Sequence, residues 1–161
     1  MSTRRALTGL LTAASLLTLP AARAQEQVSC DLQVPAMSFG SIDILGEMPA
    51  DRSLGSIDVI CRNSGKVGAV VPMRIAVSAG SGGIDSQRRM AGPGGSSLEY
   101  NLFKDASRTQ LWRSSGILPR AVYVGAQQQA SLTFPVFGRL YGPRDARPGG
   151  YTDWLTVTLD F

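Results

Sequence analysis

The sequence has 161 residues, of which 43% are hydrophobic and 17% are charged, which suits one small folded domain. It contains no histidine and two cysteines. Without histidine the usual general base near neutral pH is missing, which excludes catalytic sites of the Ser-His-Asp and Cys-His kinds. A zinc site built from cysteine and histidine lacks its ligands as well. We therefore expect no enzymatic activity, no catalytic residue, no metal and no cofactor.

Residues 1–24 have the pattern of a secretory signal peptide. Arg4 and Arg5 form a basic start, and an apolar run follows at residues 6–19. The small residues Ala22 and Ala24 mark a cleavage site after Ala24. The apolar run is shorter than the roughly 20 residues of a membrane-spanning helix, so a membrane anchor is the weaker interpretation.

The predicted mature domain, residues 25–161, has no transmembrane segment and is nearly neutral. Cleavage removes three of the 16 basic residues, which leaves 13 against 12 acidic ones and lowers the formal net charge from +4 to +1. No basic block remains that could neutralise a row of phosphates, so we expect no nucleic-acid partner. The adjacent pair Arg88 and Arg89 lies near glycine and serine residues, and we interpret it as part of a solvated loop.

Alternating apolar and polar residues predict short β-strands along the mature domain, and no segment has helical periodicity. The third strand contains Pro72, which favours a position at a sheet edge. Residues 79–97 are rich in glycine and serine and are predicted to form a long loop. Short strands separated by turns are typical of a β-sandwich. The strands are predicted at residues 28–34, 56–62, 70–78, 98–103, 111–112, 121–124, 130–138 and 151–161.

The final strand, residues 151–161, has the clearest pattern of a half-buried strand. Its apolar face needs a core partner, and the neighbouring strand could come from another molecule. Trp154 falls on the polar face, where we expect either contact with a neighbouring subunit or loop, or local packing. The apolar face consists of Tyr151, Leu155, Val157, Leu159 and Phe161.

The remaining aromatic and acidic residues offer only weak alternatives for a binding or catalytic site. Trp112, Tyr123 and Tyr141, together with Trp154, could stack on sugars, but we expect most of them to be buried or half-buried. The carboxylate pairs Asp43 with Glu47 and Asp145 with Asp153 could act as acid and base, yet nothing in their spacing brings them together over a substrate. We interpret these carboxylates as solvated surface charges.

The two cysteines, Cys30 and Cys61, are predicted to form a disulfide. An even number of cysteines in an exported chain favours a bridge over reactive thiols. Both residues lie on the apolar faces of their strands and could meet inside the domain. In the chain-entropy model, closing a loop of about 32 residues stabilises the fold by about 3.7 kcal/mol.

Several short motifs together resemble the spore coat protein U domain family, which includes the pilins of archaic chaperone-usher pili. The match covers nearly all of the mature chain. The motifs are the Cys30 segment followed by Phe39-Gly40, the strand ending in Cys61, Arg89-Met90, the run LEYNLFKD at residues 98–105, Thr109 with Trp112, Phe137-Gly138, and PGGYTD at residues 148–153 before LTVTLDF.

The resemblance implies an all-β, incomplete immunoglobulin-like β-sandwich whose final strand is supplied in trans. A periplasmic chaperone would first hold such a subunit, and a donor strand from another pilin would complete it after transfer through an outer-membrane usher. Leu155, Val157, Leu159 and Phe161 would line the acceptor groove, and the carboxylate of Phe161 would dock on basic chaperone residues. The protein would pass through the periplasm to a cell-surface fimbrium and support adhesion or biofilm formation.

One departure from the family pattern concerns the segment before the first cysteine. Residues 25–29 span about 17 Å as a strand, whereas pairing along eleven residues needs about 36 Å. We therefore expect a subunit that accepts a donor strand but hardly donates one, at or near a fibre tip. The alternative is a self-sufficient secreted β-sandwich that acts as a coat protein or binds carbohydrate.

Overall fold

The computed structural model describes residues 27–42, 53–115, 118–141 and 146–161. The predicted signal peptide lies outside these residues. The described part of the chain forms one short 3-10 turn, Pro93–Gly95, and eight β-strands. The strands are β1 (Val28–Gln33), β2 (Ser53–Asn63), β3 (Ala69–Val77), β4 (Arg88–Ala91), β5 (Ser97–Phe103), β6 (Leu118–Val124), β7 (Gln129–Leu140) and β8 (Val157–Asp160).

The strands form two antiparallel sheets. The larger sheet has the order β1-β2-β7-β5-β4, and the smaller one has the order β6-β3-β8. The inward-facing residues of both sheets form one hydrophobic core. This arrangement confirms the all-β sandwich predicted from the sequence. The core includes Ile57, Val59, Val71, Met73, Ile75, Val77, Leu102, Phe134, Val136 and Leu140.

Strand β3 shows why the alternating pattern was a reliable guide. Its odd-numbered residues from Val71 to Val77 are buried in the core, whereas Val70, Pro72 and Arg74 are exposed. The predicted edge position of this strand was wrong, because β3 lies between β6 and β8. However, β8 pairs only with residues 74–77, so next to Pro72 the described strands pair with β3 from one side alone. A residue without an N–H group can be accommodated at such a place.

Two other predictions also need correction. Residues 79–97 are not all loop, because they contain β4, which pairs with β5 at the edge of the larger sheet. Residues 111–112 do not form a strand: Leu111 makes a single bridge with Phe103, and the Trp112 amide donates to the Leu102 carbonyl at 2.9 Å. The β4 ladder is too short to leave an alternating apolar signal, and the two adjacent apolar residues at 111–112 are too few to establish one.

The final strand is shorter than predicted. Only Val157–Asp160 pairs as a strand, with β3, while Thr152 bridges Ala91 at the edge of β4. The C-terminal segment therefore passes from an edge of the larger sheet to an edge of the smaller one. Because a change of sheet interrupts the ladder, the residues between these two contacts do not form a strand, although their side chains keep the alternating pattern.

The predicted disulfide is confirmed. Cys30 and Cys61 lie opposite each other in the β1–β2 pair, with an S–S distance of 2.03 Å and their Cα atoms 4.0 Å apart. Strand β1 lies at one edge of its sheet and pairs only with β2 in the described part of the chain. The disulfide therefore fastens an edge strand covalently to its one neighbour.

Candidate functional site

A groove of about 750 Å³ opens between the two ends of the described chain. Its floor is formed by core residues of both sheets, including Ile57, Val77 and Val136. Most of its lining is apolar, as expected for a binding groove. One wall consists of Leu32, Val34, Pro35, Ala36, Met37 and Phe39, and the opposite wall consists of residues 151–157.

The apolar rows of β1 and the C-terminal segment are only partly covered. Val28, Cys30 and Leu32 of β1 are half-buried, whereas Cys61 on the adjacent strand is 1% exposed. The predicted groove residues Tyr151, Leu155, Val157 and Leu159 are likewise half-buried, and Phe161 is 52% exposed. Incomplete burial of two apolar rows leaves hydrophobic stabilisation that an additional strand could supply.

The C-terminal segment also presents an open backbone edge. The Ser78 amide donates to the Thr156 carbonyl at 2.9 Å, which places Thr156 in a hydrogen-bonded pair with β3. Because backbone groups point alternately to the two sides of a strand, those of Leu155, Val157 and Leu159 point away from β3. In the described residues no strand pairs with β8 on that side. Such an edge can accept a strand from another chain.

The wall that follows β1 is fixed by close packing on two glycines. A Cβ atom at Gly138 would lie 2.3 Å from Met37 Cε and 2.8 Å from the Phe39 ring, and one at Gly55 would lie 3.2 Å from Met37 Sδ. The Phe39 ring also makes an edge contact with Tyr100 at 5.7 Å between centroids. This wall is therefore packed on the larger sheet before any ligand binds.

Asp153 anchors the opposite wall through four hydrogen bonds. Its Oδ1 atom accepts from the Ser81 amide at 2.9 Å, the Ser81 hydroxyl at 2.6 Å and the Trp154 amide at 2.8 Å, while Oδ2 accepts from the Tyr100 hydroxyl at 2.7 Å. Gly80, at φ +83°, is close enough that a Cβ atom there would lie 2.1 Å from Oδ2. This role was not predicted from the sequence, although Asp153 occupies an inward position in the apolar row.

These contacts set the ionisation of the anchor. Burial raises the pKa of the Asp153 carboxyl, but the hydrogen bonds from Ser81, Tyr100 and Trp154 outweigh it and hold the pKa below its ordinary value. Burial and the hydrogen bond to Asp153 raise the pKa of the Tyr100 hydroxyl. Asp153 is therefore an ionised acceptor and Tyr100 a protonated donor at neutral pH.

Arg88 is fully buried and donates to Ser78, which is in turn hydrogen-bonded to Thr156 of this wall. Its guanidinium donates to the carbonyls of Ser78 at 2.8 Å, Trp112 at 2.8 Å and Asp85 at 3.1 Å, and thereby joins three loops. The interpretation of Arg88 as a solvated loop residue was wrong, because it shares the inward face of β4 with Met90. Arg89 is exposed, as expected, and pairs with Glu99 at 3.0 Å.

The family model of the Spore Coat Protein U domain matches residues 16–158. The chain belongs to this family. A chain in the crystal structure of the CsuC-CsuE chaperone-tip adhesion subunit pre-assembly complex, from the archaic chaperone-usher Csu pili of Acinetobacter baumannii, is similar with a TM-score of 0.51 and 19% identity. The match covers 83% of this chain and 40% of that chain, and at this identity it shows the fold alone. No curated protein matches the sequence.

In this Spore Coat Protein U domain, the groove brings together most of the site residues predicted from the sequence. Tyr151, Leu155 and Val157 line it, and Trp154, which is 85% exposed, stands beside them. Leu159 continues the same inward-facing row along β8. The wall containing Met37 and Phe39 was not predicted, since that segment has no alternating pattern.

The alternative sites have different outcomes in the structure. Asp43, Glu47 and Asp145 lie outside the described residues. Of the four aromatic residues considered for sugar stacking, Trp112 is buried, but Tyr123, Tyr141 and Trp154 are exposed, so the expectation that most are buried or half-buried was wrong. The described residues contain no group of three or more histidine, cysteine, aspartate or glutamate side chains that could hold a metal ion. They also contain no helix of the length and apolarity needed to span a bilayer.

Proposed function

We propose that the protein is a non-enzymatic subunit of a chaperone-usher surface pilus that accepts a β-strand from another polypeptide in its groove. The observation that carries this proposal is the groove itself, because its walls combine two partly covered apolar rows with an open backbone edge. A strand placed there gains backbone hydrogen bonds along the edge and buries its own alternate side chains against the core. Family membership and the fold of the Csu complex support the same function.

The proposed partners follow the assembly order of such a subunit. The signal peptide, residues 1–24, directs export, a periplasmic chaperone occupies the groove, and an outer-membrane usher exchanges it for a strand of another pilin. The carboxylate of Phe161 is the proposed docking point for basic chaperone residues, and the exposed ring of Phe161 supports this. The assembled protein belongs to a cell-surface fimbrium that supports adhesion or biofilm formation.

A position near the fibre tip is a further part of the proposal. With cleavage after Ala24, the chain before Cys30 is residues 25–29. Val28 and Ser29 already pair with β2, and the Gln27 carbonyl accepts a hydrogen bond from the Ser64 amide at 2.8 Å. These residues are therefore poorly available for donation. Deletion of residues 25–26 leaves incorporation into fibres intact if the proposal is correct, and loss of incorporation contradicts it.

Strand acceptance can be tested with the protein purified after export. A synthetic peptide of alternating valine and threonine, with a Gly–Ser tail, is expected to bind and to raise the unfolding temperature. Val157→Lys places a charge in the groove and abolishes this effect, whereas Thr158→Lys, on the exposed face of the same strand, preserves it. A monomer that is stable alone and gains nothing from the peptide contradicts the proposal and favours a self-sufficient coat or carbohydrate-binding protein.

A further inference from the structure

Asp153 is the one charged side chain among the described residues that line the groove. It lies in the inward row of the C-terminal segment, between the apolar side chains of Tyr151 and Leu155, and it is only partly buried. A strand that enters the groove removes water from this carboxylate. Because an ionised group loses hydration on burial, the strand must replace that interaction or lose affinity.

The existing partners of Asp153 do not balance its charge. All four donors are neutral groups, two backbone amides and two hydroxyls. Arg88, the buried cation of the described residues, gives its hydrogen bonds to carbonyl oxygens. Its nearest carboxylate is that of Asp85, at 3.8 Å, and Asp85 also interacts with Arg113. Arg88 interacts electrostatically with Tyr100 and Asp153 but donates no hydrogen bond to the Asp153 carboxylate.

The two oxygens of Asp153 also differ in their remaining capacity. Oδ1 accepts three of the four hydrogen bonds, and Oδ2 accepts one, from Tyr100. Since a carboxylate oxygen has about two acceptor positions, Oδ2 is the atom with capacity for a further donor. An ammonium or guanidinium group suits this acceptor.

We propose, on the basis of the strand-acceptor function above, that Asp153 selects a donor strand with one lysine or arginine among its alternating apolar side chains. The cation lies opposite Asp153, and the apolar side chains fill the groove beside Leu155 and Val157. A strand with an apolar residue at that position buries the carboxylate without a charged donor. Asp153 therefore acts as a specificity determinant, through a penalty on incorrect strands as well as an attraction for correct ones.

A matched peptide scan tests this selection. Each inward valine of the valine–threonine peptide is replaced in turn by lysine or by norleucine, which has the same carbon chain without the ammonium group. Affinities for the exported protein are measured by titration calorimetry. At one position lysine is expected to bind about tenfold more tightly than norleucine, as a charge-assisted hydrogen bond implies. In Asp153→Asn that preference falls below about twofold, whereas Ser81→Ala, which keeps the carboxylate, retains it.

The outcomes separate this inference from the proposed function. Binding of peptides without a lysine preference at any position, or with an equal preference in Asp153→Asn, overturns the role of Asp153 and leaves strand acceptance intact. Failure of every peptide to bind overturns strand acceptance and this inference with it. A measurement on the unsubstituted protein guards against misfolding of the variant. The lysine preference must decline as the pH falls through the lowered pKa of Asp153 and the carboxylate is protonated, and its persistence once the carboxylate is protonated overturns the inference.

Discussion

Replacement of Arg88 by methionine tests the role of the buried guanidinium in holding the groove wall. Methionine fills a similar space but removes every donor, so the carbonyls of Ser78, Asp85 and Trp112 each lose a charge-assisted hydrogen bond. At about 1.5 kcal/mol for each bond, the loss is about 4.5 kcal/mol. Relief of the buried charge offsets part of this loss, which leaves an expected destabilisation of about 3 kcal/mol.

The assay is equilibrium unfolding in urea with the disulfide intact. For a slope of about 2 kcal/mol per molar urea, Arg88→Met lowers the midpoint by about 1.5 M. The control is Arg89→Met on the neighbouring residue, whose ion pair with Glu99 is exposed to solvent. Its expected cost is below about 0.5 kcal/mol, a shift of less than about 0.3 M. If the two variants unfold at the same urea concentration, the reasoning about Arg88 is refuted.

Three further predictions concern the disulfide, the groove wall and pH. Replacement of both Cys30 and Cys61 by serine lowers the free energy of unfolding by about 3.7 kcal/mol, measured in urea; a loss below about 1 kcal/mol contradicts the chain-entropy account. Gly138→Ala costs about 1–3 kcal/mol because its Cβ atom meets the wall after β1, whereas Gly150→Ala, which meets nothing within 4 Å, is nearly neutral in thermal unfolding. Folding lowers the pKa of Asp153, so the contribution of this carboxylate to the free energy of unfolding is complete above about pH 4 and is lost as the pH falls. Asp153→Asn removes that part of the pH dependence of stability. If stability depends on pH in the same way in the variant, the ionised anchor at Asp153 is contradicted.

The strands with long regular partners were predictable from the sequence. In β3, for example, Val71 to Val77 repeat every second residue because one face of the strand meets the core along its whole length. β4 was missed because it is short and its inward face begins with Arg88, whose partners are the carbonyls of loop residues on both sides of β4. An alternating pattern records only whether a side chain meets apolar surroundings, not which buried acceptors can satisfy a charge.

The groove was predictable on one side only. The apolar row from Tyr151 to Leu159 indicated the C-terminal wall, because it follows the two-residue period of a strand. Met37 and Phe39 form the other wall by packing over Gly55 and Gly138, a contact between segments far apart in sequence. The position of Asp153 broke the apolar row visibly, but its partners Ser81 and Tyr100 could be identified only in the folded chain.

In the proposed pilus subunit, the disulfide has a mechanical consequence. Only Val28 and Ser29 of β1 precede Cys30, and they pair with Asn63 and Arg62. Tension from a strand held in the groove pulls on β1, which is joined to β2 by a covalent link as well as by its backbone pairing. The load passes directly into the interior of the larger sheet, so Leu32 and the groove wall beyond it stay in place under forces that would unzip an unlinked edge strand.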